Sequence, residues 1–298
     1  MAEFALEGVV PALATPFTAD GELDEAALRR NVRALREAPL GGYLVLGSTG
    51  EFPHLSFEEK ERAIAAVVEE AAGRPVIAQT GEPSTAATVR LTRRAAELGA
   101  QAALVVTPSY YKNALREREV AAFFRTVADA SPIPVLVYNI PQTTGLNLSA
   151  RQVAELAAHG NIAGIKDSAG DLAQIADLVQ LAPPGFGVFT GADVLLPAAR
   201  LLGARGAILA SANVFPEALG RIDGLLRAGR AEEAAALHRR LLPALRRLNR
   251  LGIPGYKAGM DAAGFTGGAP RAPLLPLPEE ERRALAEEVA QVLRALAV

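Results

Sequence analysis

Short apolar segments alternate with amphipathic helical segments eight times along the first 227 residues, and this repeat constrains the fold more than any other feature of the chain. Each apolar segment has four to seven residues, which is too short for a buried helix and typical of a strand. Strands that alternate with helices pair in parallel. Eight such units predict an α/β fold, one closed (β/α)8 barrel, with an open doubly wound sheet as the alternative. The predicted strands span residues 8–14, 42–46, 75–79, 102–106, 134–138, 162–166, 187–190 and 206–209.

Capping residues and a change of pattern near residue 230 define the predicted helices and the domain boundary. Asp24 is a predicted N-cap, and Ser56 with Glu59 three residues later forms a capping box. The repeat ends after its eighth helix, so we expect a barrel domain over residues 1–229 and a helical extension over residues 230–298. The predicted helices span 24–37, 56–71, 84–98, 116–130, 149–158, 171–181, 193–202 and 216–227 in the barrel, and 231–251, 254–263 and 279–297 in the extension.

The composition argues against several classes of function. A formal net charge of −2 and a pI near 6.0 predict no nucleic-acid partner and no anionic membrane surface. With no cysteine and three histidines, we expect no thiolate nucleophile and no metal site. No G-x-G-x-x-G motif follows the first strand, so we expect no nicotinamide or flavin cofactor. An acidic N-terminus without a signal pattern, and no apolar run of about 18 residues, predict a cytoplasmic protein.

Lys166 ends the sixth predicted strand, and lysine accounts for only four of the 31 basic residues. Arginine supplies fixed charge elsewhere in the chain. A lysine in an apolar run therefore suggests a group that must lose its proton and act as a nucleophile. The apolar residues before Lys166 favour the neutral amine by desolvation. The alternative is a strand-end lysine that reaches water or pairs with Asp167.

Other reactive groups follow neighbouring strands, at the end of a barrel where active sites gather. Residues 47–51, Gly-Ser-Thr-Gly-Glu, form a turn whose N–H groups and hydroxyls can hold a carboxylate. An ordinary turn with Ser48 or Thr49 as a helix cap fits the same residues. Tyr138 ends strand five, next to Lys166, where it can transfer protons or simply pack at the rim.

An amine beside a carboxylate site suits chemistry on a 2-oxo acid. The neutral amine attacks the ketone, and the resulting iminium makes the neighbouring carbon acidic. Bonds between carbons can then form or break without a metal ion. The predicted partner is therefore a small 2-oxo acid.

Four motifs in this order resemble the family of class I Schiff-base lyases and aldolases that includes dihydrodipicolinate synthase and N-acetylneuraminate lyase. The motifs are residues 47–51, 107–111, 138–141 and 164–170, and the resemblance covers the chain. It implies a (β/α)8 barrel, usually in homotetramers. It also implies that Lys166 is the Schiff-base lysine and that Tyr138 is the acid/base.

The same resemblance implies further site residues. Ser48 and Thr49, with Gly47, would bind the substrate carboxylate, and Tyr111 would join a catalytic hydroxyl relay through Thr49, often completed across a subunit interface. The substrate would also contact Gly191 and the backbone of Ile208. Because Ser109 adds a residue relative to some members, Tyr110 is the alternative relay tyrosine.

The departures from the family pattern bear on the substrate. Dihydrodipicolinate synthases typically carry an arginine where this chain has Thr143, and the forms Gly-Ser-x-Gly-Glu-Phe-Pro and Lys-Asp-Ser look like 4-hydroxy-2-oxoglutarate aldolases, which yield pyruvate and glyoxylate. That activity is the first expectation. The alternatives are 4-hydroxy-tetrahydrodipicolinate synthase, a 2-keto-3-deoxy sugar-acid aldolase or dehydratase, and a non-catalytic oxo-acid-binding protein. We expect a homotetramer or dimer.

Overall fold

A computed structural model describes residues 6–296 of the 298-residue chain and shows eight parallel strands in one sheet. Neighbours in sequence are neighbours in the sheet, and β1 also pairs with β8, so the sheet curls into a barrel. The predicted (β/α)8 barrel is confirmed. The strands are β1 Gly8–Pro11, β2 Tyr43–Val45, β3 Val76–Gln79, β4 Ala102–Val106, β5 Val135–Asn139, β6 Ile162–Asp167, β7 Gly187–Thr190 and β8 Gly206–Leu209.

The side between β1 and β2 closes through fewer contacts than the other sides. An isolated parallel bridge joins Ala12 to Leu44. The backbone N–H of Leu13 donates to the Leu44 carbonyl at 2.9 Å, and that of Gly41 donates to the Val9 carbonyl at 2.8 Å. These bonds complete the barrel without a regular strand ladder.

The helices follow the predicted order. Asp24 caps α1 by accepting the N–H of Ala27, and the predicted capping box of Ser56 and Glu59 opens α2. The predicted last residue of the terminal helix, Ala297, lies outside the described residues. The helices are α1 Glu25–Leu35, α2 Phe57–Glu70, α3 Thr85–Glu97, α4 Glu117–Ala130, α5 Pro141–Thr144, α6 Ala150–Ala157, α7 Leu172–Leu181, α8 Leu196–Leu201, α9 Pro216–Arg227, α10 Ala231–Ala262 and α11 Glu279–Leu296.

Two helical regions differ from the prediction. The four-residue α5 has no counterpart in the prediction, because one turn of helix is too short to show a hydrophobic period. It begins at Pro141, and Gly145 caps its carboxyl end in the left-handed conformation. The two helices predicted at 231–251 and 254–263 are continuous in α10 except for a kink at Gly252 (φ 64°, ψ −149°). In the described chain, 6–296, no helix is both long enough and apolar enough to cross a membrane.

Alternation along the strands separates a small barrel interior from the layer between strands and helices. Alternate residues of each strand face inward and pack into one cluster, while their neighbours pack against the helices in two larger clusters. The interior is filled with side chains, as expected for eight strands. Its buried members include Val10, Leu44, Ile77, Leu104, Leu136, Tyr138, Phe189 and Ile208.

Candidate active site

Lys166 and Tyr138 lie side by side at the carboxyl end of the barrel. They are register partners on β6 and β5, so both side chains point to the interior. Lys166 Nζ lies 4.4 Å from the centroid of the Tyr138 ring. The two residues are only 4% and 3% exposed. The structure thus brings together the amine and the phenol on which the predicted chemistry depends.

The turn after β2 places a hydroxyl next to this phenol. Ser48 Oγ and Tyr138 Oη are 3.4 Å apart, a long hydrogen bond that either oxygen can donate. Ser48 begins a short 3-10 turn that ends at Gly50, and both Ser48 and Thr49 are half-buried. Gly47, buried just before this turn, keeps extended backbone geometry. The turn therefore faces the same side of the barrel mouth as Tyr138.

Unfavourable backbone conformations flank this turn. Leu46 (φ 64°) and Glu51 (φ 56°) are non-glycine residues in the left-handed region, a cost of about 1–3 kcal/mol each. Thr15 Oγ1 donates to the Gly50 carbonyl at 2.7 Å, which ties the turn to the loop after β1. Since such strain persists only where surrounding contacts enforce it, the shape of the turn depends on those contacts.

Asp167 does not pair with Lys166, because the next residue along a strand faces the opposite side. Its carboxylate accepts hydrogen bonds from Asn139 Nδ2 and Gln174 Nε2, both at 2.7 Å, and from the Ala169 N–H at 3.1 Å. Burial raises the pKa of Asp167, and these hydrogen bonds oppose the shift. The alternative in which Lys166 is an ordinary partner of Asp167 is therefore wrong.

The four lysines have different surroundings. Lys60 Nζ lies 2.7 Å from a Glu82 carboxylate oxygen, and Lys257 Nζ lies 2.6 Å from one of Glu51. Lys112 is exposed at the rim. Across residues 6–296, Lys166 is the buried lysine that has no carboxylate within ion-pair distance. Its amine is thus available to a ligand that enters the mouth.

Two other predicted substrate contacts also lie at this end of the barrel. The N–H of Gly191 donates to the Asp167 carbonyl at 2.6 Å, just after β7. A Cβ at Gly191 would overlap Ser168 Oγ and approach Lys166 Cε to 3.1 Å, so only glycine leaves room here. Ile208, on β8, is fully buried in the interior cluster with Tyr138.

The predicted hydroxyl relay is not formed within the described chain. Tyr110 and Tyr111 are 82% and 72% exposed, and their rings contact each other edge to face at 5.0 Å. No hydrogen bond joins either phenol to Thr49 among residues 6–296. The relay therefore stays a prediction that would require the phenol of a second subunit.

The sequence indicates the positions of two other buried polar residues, Gln79 and Lys257, only weakly. Gln79 is buried on β3 and accepts a hydrogen bond from the Gly81 N–H through Oε1. It lies two residues after the inward-facing Ile77, so the period of a strand predicts that it also faces the barrel interior. The rarity of lysine, which singles out Lys166, also singles out Lys257. Its pairing with Glu51 spans more than 200 residues and leaves no local pattern.

The sequence and the fold of this chain are similar to those of known proteins. The chain matches the Dihydrodipicolinate synthetase family over residues 5–292. It is 39% identical over 281 residues to the 4-hydroxy-tetrahydrodipicolinate synthase of Methanothrix thermoacetophila, covering 93% of this chain and 94% of that protein. The structure of dihydrodipicolinate synthase from Bacillus anthracis superposes with a TM-score of 0.91 at 31% identity, covering 96% of this chain and 98% of the other. A prophage protein of the dihydrodipicolinic acid synthase family from E. coli K12, solved in complex with pyruvate, gives a TM-score of 0.91 at 30% identity and the same coverage.

Proposed function

Because the chain belongs to the Dihydrodipicolinate synthetase family, whose members are metal-independent Schiff-base lyases, we propose that Lys166 forms an imine with pyruvate. The observation that carries this proposal is the buried amine of Lys166, which has no carboxylate partner within residues 6–296 and lies over the Tyr138 ring. The relative that was solved in complex with pyruvate supports the choice of first substrate.

The proposed mechanism uses three groups. Lys166 Nζ attacks the ketone carbon of pyruvate, and the ketone oxygen takes one proton from the amine and a second from the Tyr138 phenol before it leaves as water. The Tyr138 phenolate then removes a methyl proton from the iminium, which yields an enamine. The enamine adds to the aldehyde, whose oxygen takes that proton back from Tyr138; cleavage is the reverse. Ser48, within reach of Tyr138, binds the carboxylate together with the N–H groups of its turn.

The names of the relatives favour aspartate semialdehyde as the second substrate. The Methanothrix protein is named 4-hydroxy-tetrahydrodipicolinate synthase, and this supports the alternative from the sequence over 4-hydroxy-2-oxoglutarate aldolase. Lys112 Nζ lies next to Gly145, where a Cβ would come within 2.6 Å of it. This exposed cation lies beside the carboxyl end of α5, the helix that carries Thr143, so it can attract a carboxylated aldehyde although Thr143 is neutral.

The aldolase of 4-hydroxy-2-oxoglutarate remains the second candidate because of Thr143. This residue is exposed on α5, at the position where synthases typically carry arginine. In either case, the exposed pair Tyr110 and Tyr111 is proposed to complete the site within a dimer or tetramer.

Borohydride reduction in the presence of pyruvate tests the proposed imine. We expect a stable adduct on Lys166 alone, located by peptide mass mapping, because Lys60 and Lys257 are held in ion pairs. Steady-state kinetics of pyruvate with aspartate semialdehyde, glyoxylate, glyceraldehyde and N-acetylmannosamine then identify the aldehyde.

Three outcomes of these experiments contradict the proposal in different ways. An adduct on another lysine, or none at all, would refute the imine. Pyruvate binding without turnover of any aldehyde would favour the non-catalytic binder. Faster turnover with glyoxylate than with aspartate semialdehyde would favour 4-hydroxy-2-oxoglutarate aldolase as the function of this protein.

Adding one methyl group at Gly191 is expected to slow imine formation about 10- to 100-fold, since the Cβ would displace Ser168 and the end of Lys166. The measurement is the rate of borohydride trapping by Gly191→Ala at saturating pyruvate. Gly224→Ala is the matched control: Gly224 lies in α9, where a Cβ would have no atom of residues 6–296 within 4 Å, so trapping should be unchanged. Equal rates in the two variants would place Gly191 away from the reacting amine.

A further inference from the structure

Glu51, the last residue of the motif after β2, is buried and held by groups from the far end of the chain. Lys257 Nζ lies 2.6 Å from Glu51 Oε1, and the two side chains are 1% and 0% exposed. The backbone N–H of Arg271 donates to Glu51 Oε2 at 2.8 Å. His54 Nδ1 lies 3.3 Å from the same oxygen. Two of these three partners lie beyond residue 230.

Lys257 is itself fixed on several sides. It lies in α10, donates to the Ala269 carbonyl at 2.8 Å, and stands 4.4 Å from the centroid of the Phe17 ring. Burial lowers the pKa of Lys257, and the hydrogen bond to Glu51 opposes that shift. A buried ion pair of this kind is weak support for stability, because desolvation offsets much of its attraction. The ion pair is more informative for the backbone geometry that it imposes on Glu51.

That geometry acts on the Gly47–Gly50 turn. Glu51 follows Gly50 directly and has left-handed backbone angles (φ 56°, ψ 35°), which are unfavourable for a residue with a side chain. The turn ahead of it carries Ser48, whose hydroxyl reaches Tyr138. If the Glu51 side chain were released, its backbone could relax to ordinary angles, and the N–H groups and hydroxyls of the turn would move with it.

Arg271 strengthens the same connection. Its guanidinium makes two hydrogen bonds to the Glu59 carboxylate, at 2.6 and 2.8 Å, and others to the carbonyls of Gly21 and His54. The segment that contains Arg271 is therefore anchored on the barrel, close to where α2 begins. The extension thus holds Glu51 from a fixed position.

We infer that Glu51 and Lys257 are positioning residues that hold the Gly47–Gly50 turn in the shape that binds the carboxylate of the 2-oxo acid. The helical extension then contributes to substrate binding although none of the ion pairs or hydrogen bonds of residues 230–296 involves Lys166. This inference rests on the proposed role of the turn as the carboxylate site. It assigns the pair to binding of the acid, whereas bond formation belongs to Lys166 and Tyr138.

The test replaces the pair by a neutral pair of similar shape, Glu51→Gln with Lys257→Met, which avoids an unpaired buried charge. The matched control is Arg200→Met with Asp223→Asn. This ion pair has nitrogen and oxygen 2.7 Å apart and side chains that are 10% and 3% exposed, but it lies beside Gly8 at the opposite end of the barrel. Calorimetry gives the dissociation constant of pyruvate for each protein, borohydride trapping gives the rate at saturating pyruvate, and thermal unfolding gives the Tm.

We expect the Glu51/Lys257 variant to bind pyruvate at least tenfold more weakly, with a trapping rate at saturation within threefold of the parent. The Arg200/Asp223 variant should keep the parent dissociation constant whatever its Tm. The inference is overturned if both variants bind pyruvate as the parent does, or if both weaken binding equally, since a general loss of stability would then explain the effect.

A single variant covers the case in which the double variant does not fold, and the parent protein separates this inference from the proposed function. If the double variant does not fold, Glu51→Gln alone keeps the side-chain shape and one acceptor oxygen but replaces the other oxygen by an NH2 donor that cannot pair with Lys257, and the same tenfold weakening is expected of it. If the parent binds pyruvate but is not trapped, the imine fails while the dissociation constants still decide the role of the pair. If the parent does not bind pyruvate at all, both proposals are wrong.

Discussion

Replacing Lys166 by methionine is expected to abolish pyruvate trapping and to reduce turnover at least about a thousandfold, while the protein stays folded. Methionine matches the length of the lysine stem but offers no nucleophile. Since Lys166 has no carboxylate partner among residues 6–296, the change leaves no buried anion unpaired, and the free energy of unfolding should shift by less than about 1.5 kcal/mol. Borohydride trapping, turnover and urea unfolding measure the three quantities.

Lys60→Met is the matched control for this prediction. Lys60 is a buried lysine too, but it pairs with Glu82 at 2.7 Å and lies over the Phe52 ring. Its loss should lower stability by up to about 3 kcal/mol, because Glu82 loses its partner, and should leave the adduct on Lys166 intact. If Lys60→Met abolished trapping, or if Lys166→Met proved the more destabilising of the two, the nucleophile would be wrongly assigned.

Replacing Tyr138 by phenylalanine is expected to slow proton transfer about 10²- to 10⁴-fold with little effect on the fold. The ring stays in the interior cluster beside Phe189 and Ile208, and only the hydroxyl that reaches Ser48 is removed. The measurement is deuterium exchange of the pyruvate methyl protons by NMR, which reports enamine formation without any aldehyde.

Tyr43→Phe is the matched control for the hydroxyl. Tyr43 is fully buried on β2 but packs in the layer between strands and helices. Its loss should leave the exchange rate unchanged. If Tyr138→Phe lost stability and exchange in equal proportion, the tyrosine would be a packing residue at the rim, the alternative raised by the sequence.

Local patterns predict the elements and the centre of the site. Alternating short strands and helices predict the barrel. Because the ends of consecutive strands lie side by side in a barrel, the sequence alone predicts that Tyr138 and Lys166 are neighbours. The orientation of Asp167 away from Lys166 follows from the same two-residue period of a strand. Strand alternation also marks Gln79 as inward-facing.

Contacts between distant segments could not be predicted in this way. Two such contacts are the ion pair of Glu51 with Lys257 and the hydrogen bond from Thr15 to Gly50. Both depend on how the extension and the loops pack against the barrel. Nothing in the residues adjacent to either partner encodes the other. The left-handed angles of Leu46 and Glu51 are likewise set by tertiary contacts, since neither residue type favours them.

The thin closure between β1 and β2 determines where this molecule can loosen most easily. With a single bridge at Ala12 and Leu44 in place of a ladder, few bonds have to break before the two strands separate. Thr15 and the turn at Gly50 lie directly beyond that bridge, on the rim. If the turn binds a small acid as proposed, the bound acid should also oppose separation of the two strands, and ligand binding should then stabilise this side of the barrel.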